Sequence, residues 1–210
     1  MHRPALKHLH GDAVMSRLIK EIGPPTLAPL RQATFASIAR SIVHQQLSGR
    51  VAEVIFDRFK KLFSKKGERC PTPKEVLAMP VEKLRGIGLS NAKANAIRDL
   101  AQRTRDGLVP TLEQCDDLTD AQLVDALTAI KGVGPWTVEM LLIFNLGRPD
   151  VLPHNDLGVR KGFQVAHGLR QLPSPERVAR DGKRWSPHRT LAAWYLWRAA
   201  DAKKEKVKKK

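Results

Sequence analysis

Two short stretches of this sequence combine reactive or ligand-binding groups with a recognisable local pattern. The first is the loop Gly147-Arg148-Pro149-Asp150-Val151-Leu152-Pro153-His154-Asn155-Asp156, which leads into Leu157 and an apolar helical run. On composition alone, Asp156 reads as a plain helix N-cap. That position also favours an ionised carboxylate, because the amides at a helix start carry partial positive charge. A fixed anion can stabilise positive charge developing on a substrate, or orient a water. Asp150 offers the same group earlier in the loop and is the runner-up.

The second stretch is Lys131-Gly132-Val133-Gly134-Pro135. Two glycines two apart permit a tight turn with positive backbone dihedrals. With no side chains in the way, the turn amides can approach a phosphate, and the following helix start adds partial positive charge. A turn of this kind holds nucleic-acid backbone and reads no base sequence. The pattern taken alone is equally that of an ordinary corner between two helices.

These groups have to be positioned by helices. Phe35, Ile38, Ala39, Ile42 and Val43 share one helical face, as do Val51, Val54, Ile55, Phe59 and Leu62 in the next segment. Leu123, Val124, Leu127 and Ile130 lead into the glycine turn. The helix after it is apolar nearly all round (Val138, Met140, Leu141, Leu142, Ile143, Phe144), which places it in a protein interior. Thr72-Pro73-Lys74-Glu75 and Thr119-Asp120-Ala121-Gln122 read as capping boxes, and Ser174-Pro175 as an N-cap followed by proline at the first helical position. The patterns predict helices near 11–22, 33–47, 50–64, 73–79, 90–106, 119–130, 135–146, 157–167, 175–181 and 188–203, with no strand of any length. The fold class is all-α.

The charge balance selects the partner. Lys and Arg number 37 against 21 Asp and Glu, a formal net charge of +16, which favours a polyanion and nucleic acid above all. A basic protein can also lie on a membrane surface, but no apolar run approaches the ~18 residues that spanning requires. The opening MHRPALKHLHGD has no apolar stretch of the signal-peptide kind, so secretion is not expected. Cys70 and Cys115 are expected as isolated thiols, and two cysteines cannot hold a four-cysteine iron–sulfur cluster. His44, His154 and His188 are too scattered to suggest zinc. The last eight residues, KKEKVKKK, are expected to form a basic, disordered tail at 203–210, either simply solvated or acting as an electrostatic arm.

An apolar helix, K-G-V-G-P-W-T, a buried helix and then an aspartate in a loop together resemble the helix-hairpin-helix DNA glycosylases, and most closely their 3-methyladenine glycosylase II branch. The likeness runs from about Phe35 to Trp197. It includes a degenerate second hairpin, Leu84-Arg85-Gly86-Ile87-Gly88-Leu89-Ser90-Asn91-Ala92-Lys93. The resemblance implies a two-lobed helix-hairpin-helix DNA glycosylase fold with a basic cleft between the lobes. One lobe would span about 31–146, and the other would combine 1–30 with 147–202. It implies Asp156 as the catalytic carboxylate, near Trp136 at the cleft mouth, acting on an oxocarbenium-like sugar.

Further roles follow from the same resemblance. Bifunctional relatives carry a Schiff-base lysine just after the hairpin, where this chain has Trp136, so a monofunctional enzyme leaving an abasic site is implied. Trp136 would stack on a flipped, positively charged alkylated base. Met140 and Leu157 stand where relatives carry tyrosines, and His188 where a second tryptophan is often found. Trp194, Tyr195 and Trp197 are expected mainly in the core, with Trp194 the one to reach the pocket. The stretch SIVHQQLSG offers Gln45, Gln46 and Leu47 as a minor-groove wedge, or else an ordinary helix end at Gly49. Lys131, Gly132, Val133, Gly134 and Thr137 would hold the DNA backbone. No cofactor is required, although a cation on the backbone carbonyls of Thr128, Ile130 and Val133 is implied by position. The implied partner is damaged double-stranded DNA, bound by a monomer in the bacterial nucleoid or in a nucleus. Enzymes for deaminated, oxidised or mismatched bases, and a non-catalytic DNA-binding module, are the competing readings.

Overall fold

The computed structural model describes residues 2–47 and 49–208, with side chains through 203. Among them there are helices and turns and no strand. The chain divides into two compact units, Leu30–Leu146 and Met1–Pro29 together with Gly147–Lys210.

The discontinuous unit opens with α1 (Arg3–Leu9) and α2 (Ala13–Ile22). Asp12 caps α2 by accepting from the Met15 amide at 2.9 Å. This stops the helix short of residue 11, where periodicity alone would have started it. The Pro-rich loop through Pro29 then leads into the central unit.

That unit contains α3 (Thr34–His44), α4 (Gly49–Lys61), α5 (Pro73–Ala78), α6 (Val81–Gly86), α7 (Asn91–Arg105), α8 (Leu112–Asp117), α9 (Asp120–Thr128) and α10 (Pro135–Met140). The expected apolar face of α3 is buried throughout: Phe35, Ile38, Ala39, Ile42 and Val43. On α4 the expected face is wrong by a rotation. Ile55 and Phe59 are buried as expected, but Val51 and Val54 are 47% and 46% exposed, and Ala52 and Phe56 are buried in their place. α7 packs against α3 and α5 through Ala94, Ile97, Leu100 and Ala101.

The capping boxes at Thr72 and Thr119 form, and a third forms at Thr111 with Gln114. The helix expected over 135–146 is α-helical only to Met140, and Leu141–Leu146 is a π-helical turn. Tertiary bonds hold the wider turn. The carbonyls of Phe144 and Asn145 accept the amides of Leu30 and Arg31. Buried Asn145 also pairs both ends of its side-chain amide with the Gln32 backbone at 2.9 Å.

The discontinuous unit resumes with α11 (Leu157–Ala166), α12 (Pro175–Asp181), a 3₁₀ turn (Gly182–Trp185) and α13 (Arg189–Lys208). Its core gathers Leu9, Met15, Leu18, Phe163, Trp185 and Tyr195. Tyr195 donates its hydroxyl to the Gly23 carbonyl at 3.0 Å, which ties the N-terminal segment to α13. α13 runs on through 203–208, the first part of the stretch expected to be disordered; its Ala, Lys and Glu are good helix formers with no breaker among them. Residues 209 and 210 lie outside the described residues. Cys70 and Cys115 are not joined in a disulfide.

Candidate active site and nucleic-acid interface

The glycine turn between α9 and α10 takes the shape its sequence demands. Gly132 has φ +75°, and a Cβ there would lie 3.1 Å from the Ala96 Cβ on α7. Backbone conformation and close approach therefore both require glycine at this position. The Val133 amide closes the turn onto the Ile130 carbonyl at 3.0 Å. Asp99 on α7 accepts the Lys131 amide at 2.8 Å while pairing with Arg103 at 3.0 Å, fixing where the turn begins. Lys131 and Gly132 are exposed, Gly134 is half-buried and Val133 is buried. Gly134 caps α10 with no side-chain hydrogen bond, unlike Ser90 at the degenerate hairpin, whose hydroxyl accepts the Lys93 amide.

The turn after α3 is built onto this hairpin. α3 stops at His44, not at 47 as its pattern suggests, because two long-range clamps hold the chain in another course. Lys93 Nζ donates to the carbonyls of Val43 (2.8 Å) and Gln45 (2.7 Å). The Gln45 side-chain amide donates to the Gly132 carbonyl (2.9 Å) and to Thr137 Oγ1 (3.1 Å). Burial lowers the Lys93 pKa. The three expected wedge residues thus divide. Gln45 is an anchor, whereas Gln46 (φ +57°) and Leu47 (38% exposed) form the projecting tip. Thr137, expected among the DNA contacts, is buried with its hydroxyl turned to Gln45. Neither clamp was foreseen, since nothing local to Lys93 or Gln45 signals a partner so far away in sequence.

The loop Gly147–Asp156 presents two carboxylates in different company. Asp150 receives the Arg189 guanidinium on both oxygens (2.7 and 2.9 Å) and the Ser186 hydroxyl at 2.8 Å. Partial burial opposes ionisation of Asp150, but the hydrogen bonds from Arg189 and Ser186 outweigh it and hold its pKa below the ordinary carboxylate value. Asp156 caps α11. Its Oδ1 accepts the Val159 amide at 2.8 Å and the Trp197 indole N–H at 2.8 Å. Both of these donors are neutral N–H groups. Asp156 is half-buried.

The model of HhH-GPD superfamily base excision DNA repair proteins matches residues 39–188. The chain belongs to this family. The DNA-3-methyladenine glycosylase 1 of Schizosaccharomyces pombe is 39% identical over 196 residues, 92% of this chain and 85% of the relative. The S. pombe 3-methyladenine DNA glycosylase solved with abasic DNA superposes with a TM-score of 0.87 at 40% identity, covering 92% of this chain and 95% of that one. A DNA-3-methyladenine glycosidase from Bacillus halodurans gives a TM-score of 0.82 at 32% identity, covering 96% and 91%.

The remaining expected pocket residues of this HhH-GPD protein differ in accessibility. Trp136 and Met140 on α10 are half-buried, and Leu157 is 51% exposed at the start of α11. His188 is half-buried with its ring edge-to-face on His8, centroids 5.4 Å apart. Trp194 is only 7% exposed and packs edge-on against Tyr195 in the unit's core, with the Arg198 guanidinium 5.7 Å from its ring. The register of α13 turns Trp194 into the unit's core. Trp197, expected as core, donates its indole N–H to Asp156. Among the described residues no His, Cys, Asp and Glu group suited to a metal ion is found, and no helix is long and apolar enough to cross a membrane.

Proposed function

We propose that this chain is a monofunctional DNA glycosylase of base excision repair, acting on alkylated bases of the 3-methyladenine and 7-methylguanine type. The observation that carries this reading is the Asp156 carboxylate, held by two neutral donors at the head of α11. Its support comes from relatives named as 3-methyladenine glycosylases that match more than nine-tenths of the chain.

The partner is duplex DNA. The turn Lys131-Gly132-Val133-Gly134 meets the phosphate backbone, and the tip residues Gln46 and Leu47 fill the space that a flipped nucleotide leaves. The flipped base, carrying a positive charge, stacks on Trp136. Its C1′–N bond breaks with the electron pair leaving on the base, so the charged base departs neutral. Positive charge then builds on the sugar, where Asp156 stabilises it. Water adds its hydroxyl to C1′, its proton passes to Asp156 or to solvent, and an abasic site remains. Trp136 has no amine to attack C1′, so the strand is not cut.

The chemistry needs no cofactor. A cation on the carbonyls of Thr128, Ile130 and Val133 would meet neutral oxygen donors of the kind that hard cations take, and it would draw a phosphate to the turn. The Ile130 carbonyl already accepts the Val133 amide and has one lone pair left to give. The enzyme acts as a monomer wherever the genome lies, in a nucleoid or a nucleus.

The deciding experiment is base release from methylated duplex DNA, with alkali added to half of each sample. Free methylated base, with strand breaks only after alkali, is expected. Breaks without alkali would overturn the monofunctional reading. Release only from deaminated or oxidised duplexes would move the substrate to another lesion class, and no release from any duplex would leave a binding module.

A further inference from the structure

We infer that Trp197 is a positioning residue for the reaction, one whose indole N–H aims the Asp156 carboxylate. The inference rests on the catalytic role proposed for Asp156.

A helix-capping carboxylate held by one amide can still swing about its side-chain torsions. In this protein a second donor comes from another helix. The Val159 amide and Trp197 Nε1 each lie 2.8 Å from Asp156 Oδ1. One donor belongs to the helix that Asp156 caps and the other to α13, so the oxygen is fixed from two directions.

The sequence of α11 makes room for this arrangement. A Cβ on Gly158 would lie 2.7 Å from Trp197 Cδ1, 3.0 Å from its Nε1 and 3.0 Å from Asp156 Oδ1. One turn later, a Cβ on Gly162 would lie 1.9 Å from the Leu196 carbonyl oxygen. Two glycines four apart on one face therefore let α13 approach backbone to backbone, and the indole enters the space the first one leaves. Burying a ring would not by itself require this. A core tryptophan needs only some acceptor for its N–H, and Trp185 is buried in the same unit with no partner for its own.

Reactivity depends on such alignment, because a small misplacement of a catalytic group costs rate steeply while leaving binding intact. The test replaces Trp197 with phenylalanine, and separately with its benzothienyl analogue, which keeps the ring shape and lacks only the N–H. Single-turnover release of 7-methylguanine, affinity for an abasic duplex and thermal melting are then measured for each. A fall of roughly ten-fold in the release rate is expected from the analogue, with affinity and melting temperature unchanged. Should Trp197→Phe prove unstable, the analogue still decides.

Wild-type release by the analogue-bearing protein would overturn the inference, leaving Trp197 as packing alone. An equal loss in affinity and rate would overturn it too, because that pattern belongs to a general disturbance. Asp156→Asn, assayed beside them, separates the two ideas. If it releases base at the wild-type rate, the catalytic reading of Asp156 fails; if it is inactive while the analogue is fully active, only the role of Trp197 fails.

Discussion

One loop carries two aspartates that differ in what surrounds them. Asp150 is matched by a bidentate guanidinium and a hydroxyl, so its charge is spent on joining the loop to the start of α13. Nearby Thr190 extends the join, accepting the Val151 amide at 2.9 Å and donating to the Arg148 carbonyl at 2.6 Å. Asp156 is held by an amide and an indole, which orient a carboxylate but carry no formal charge. A carboxylate paired with a cation secures structure, whereas the amide and the indole orient Asp156 for the catalytic role proposed above.

Three substitutions can break or sharpen this contrast. The largest effect is expected from Asp156→Asn. Asparagine caps a helix about as well as aspartate, so the melting temperature should stay nearly unchanged. The base-release rate should fall by about 10²–10³-fold, the range seen when a preorganised electrostatic contact is removed. A stable, active Asp156→Asn protein would erase the distinction.

Asp150→Asn should do the reverse. Losing charge-assisted hydrogen bonds to Arg189 costs about 2 kcal/mol, or roughly 4–8 °C in melting temperature for a chain of this size. Release by the protein that remains folded should stay near wild type. Because the folded Asp150 pKa lies below its ordinary value, this stabilisation is complete above the unfolded carboxyl pKa of about 4. It is lost as pH falls through the lower, folded value. Melting curves of wild type and Asp150→Asn should therefore separate at neutral pH and converge under acid. A gap that stayed constant with pH would assign the difference to something other than ionisation. The smallest effect belongs to Arg189→Lys, which keeps the charge but not the two-pronged geometry, at about 1 kcal/mol in denaturant unfolding.

How much of this was legible in the sequence follows from how local each cause is. The caps at Thr72, Thr119 and Ser174 are three- or four-residue signals, and all three form. The face of α3 and the glycine turn were equally local. Thr111-Leu112-Glu113-Gln114 has the same capping grammar and heads a six-residue helix just as Thr72 does, so its signal was equally present in the sequence. α1 and α6 are short in the same way. The end of α3 was not legible, because it depends on Lys93, about fifty residues away. Nor was the choice between Trp194 and Trp197. Both lie on α13, and only its packing against Gly158 and Gly162 decides which ring meets the carboxylate.

The clamps on the turn after α3 bear on how this surface can change over evolution. They grip main-chain carbonyls of Val43, Gln45 and Gly132 and the side chain of Gln45, while Gln46 and Leu47 lie at the exposed tip. The scaffold therefore makes little demand on the identity of the two tip residues, apart from the left-handed backbone at Gln46, which glycine or asparagine would adopt more readily. The tip is an exchangeable cassette on a fixed mount. Drift or directed selection can rewrite the exposed tip without renegotiating the fold beneath it.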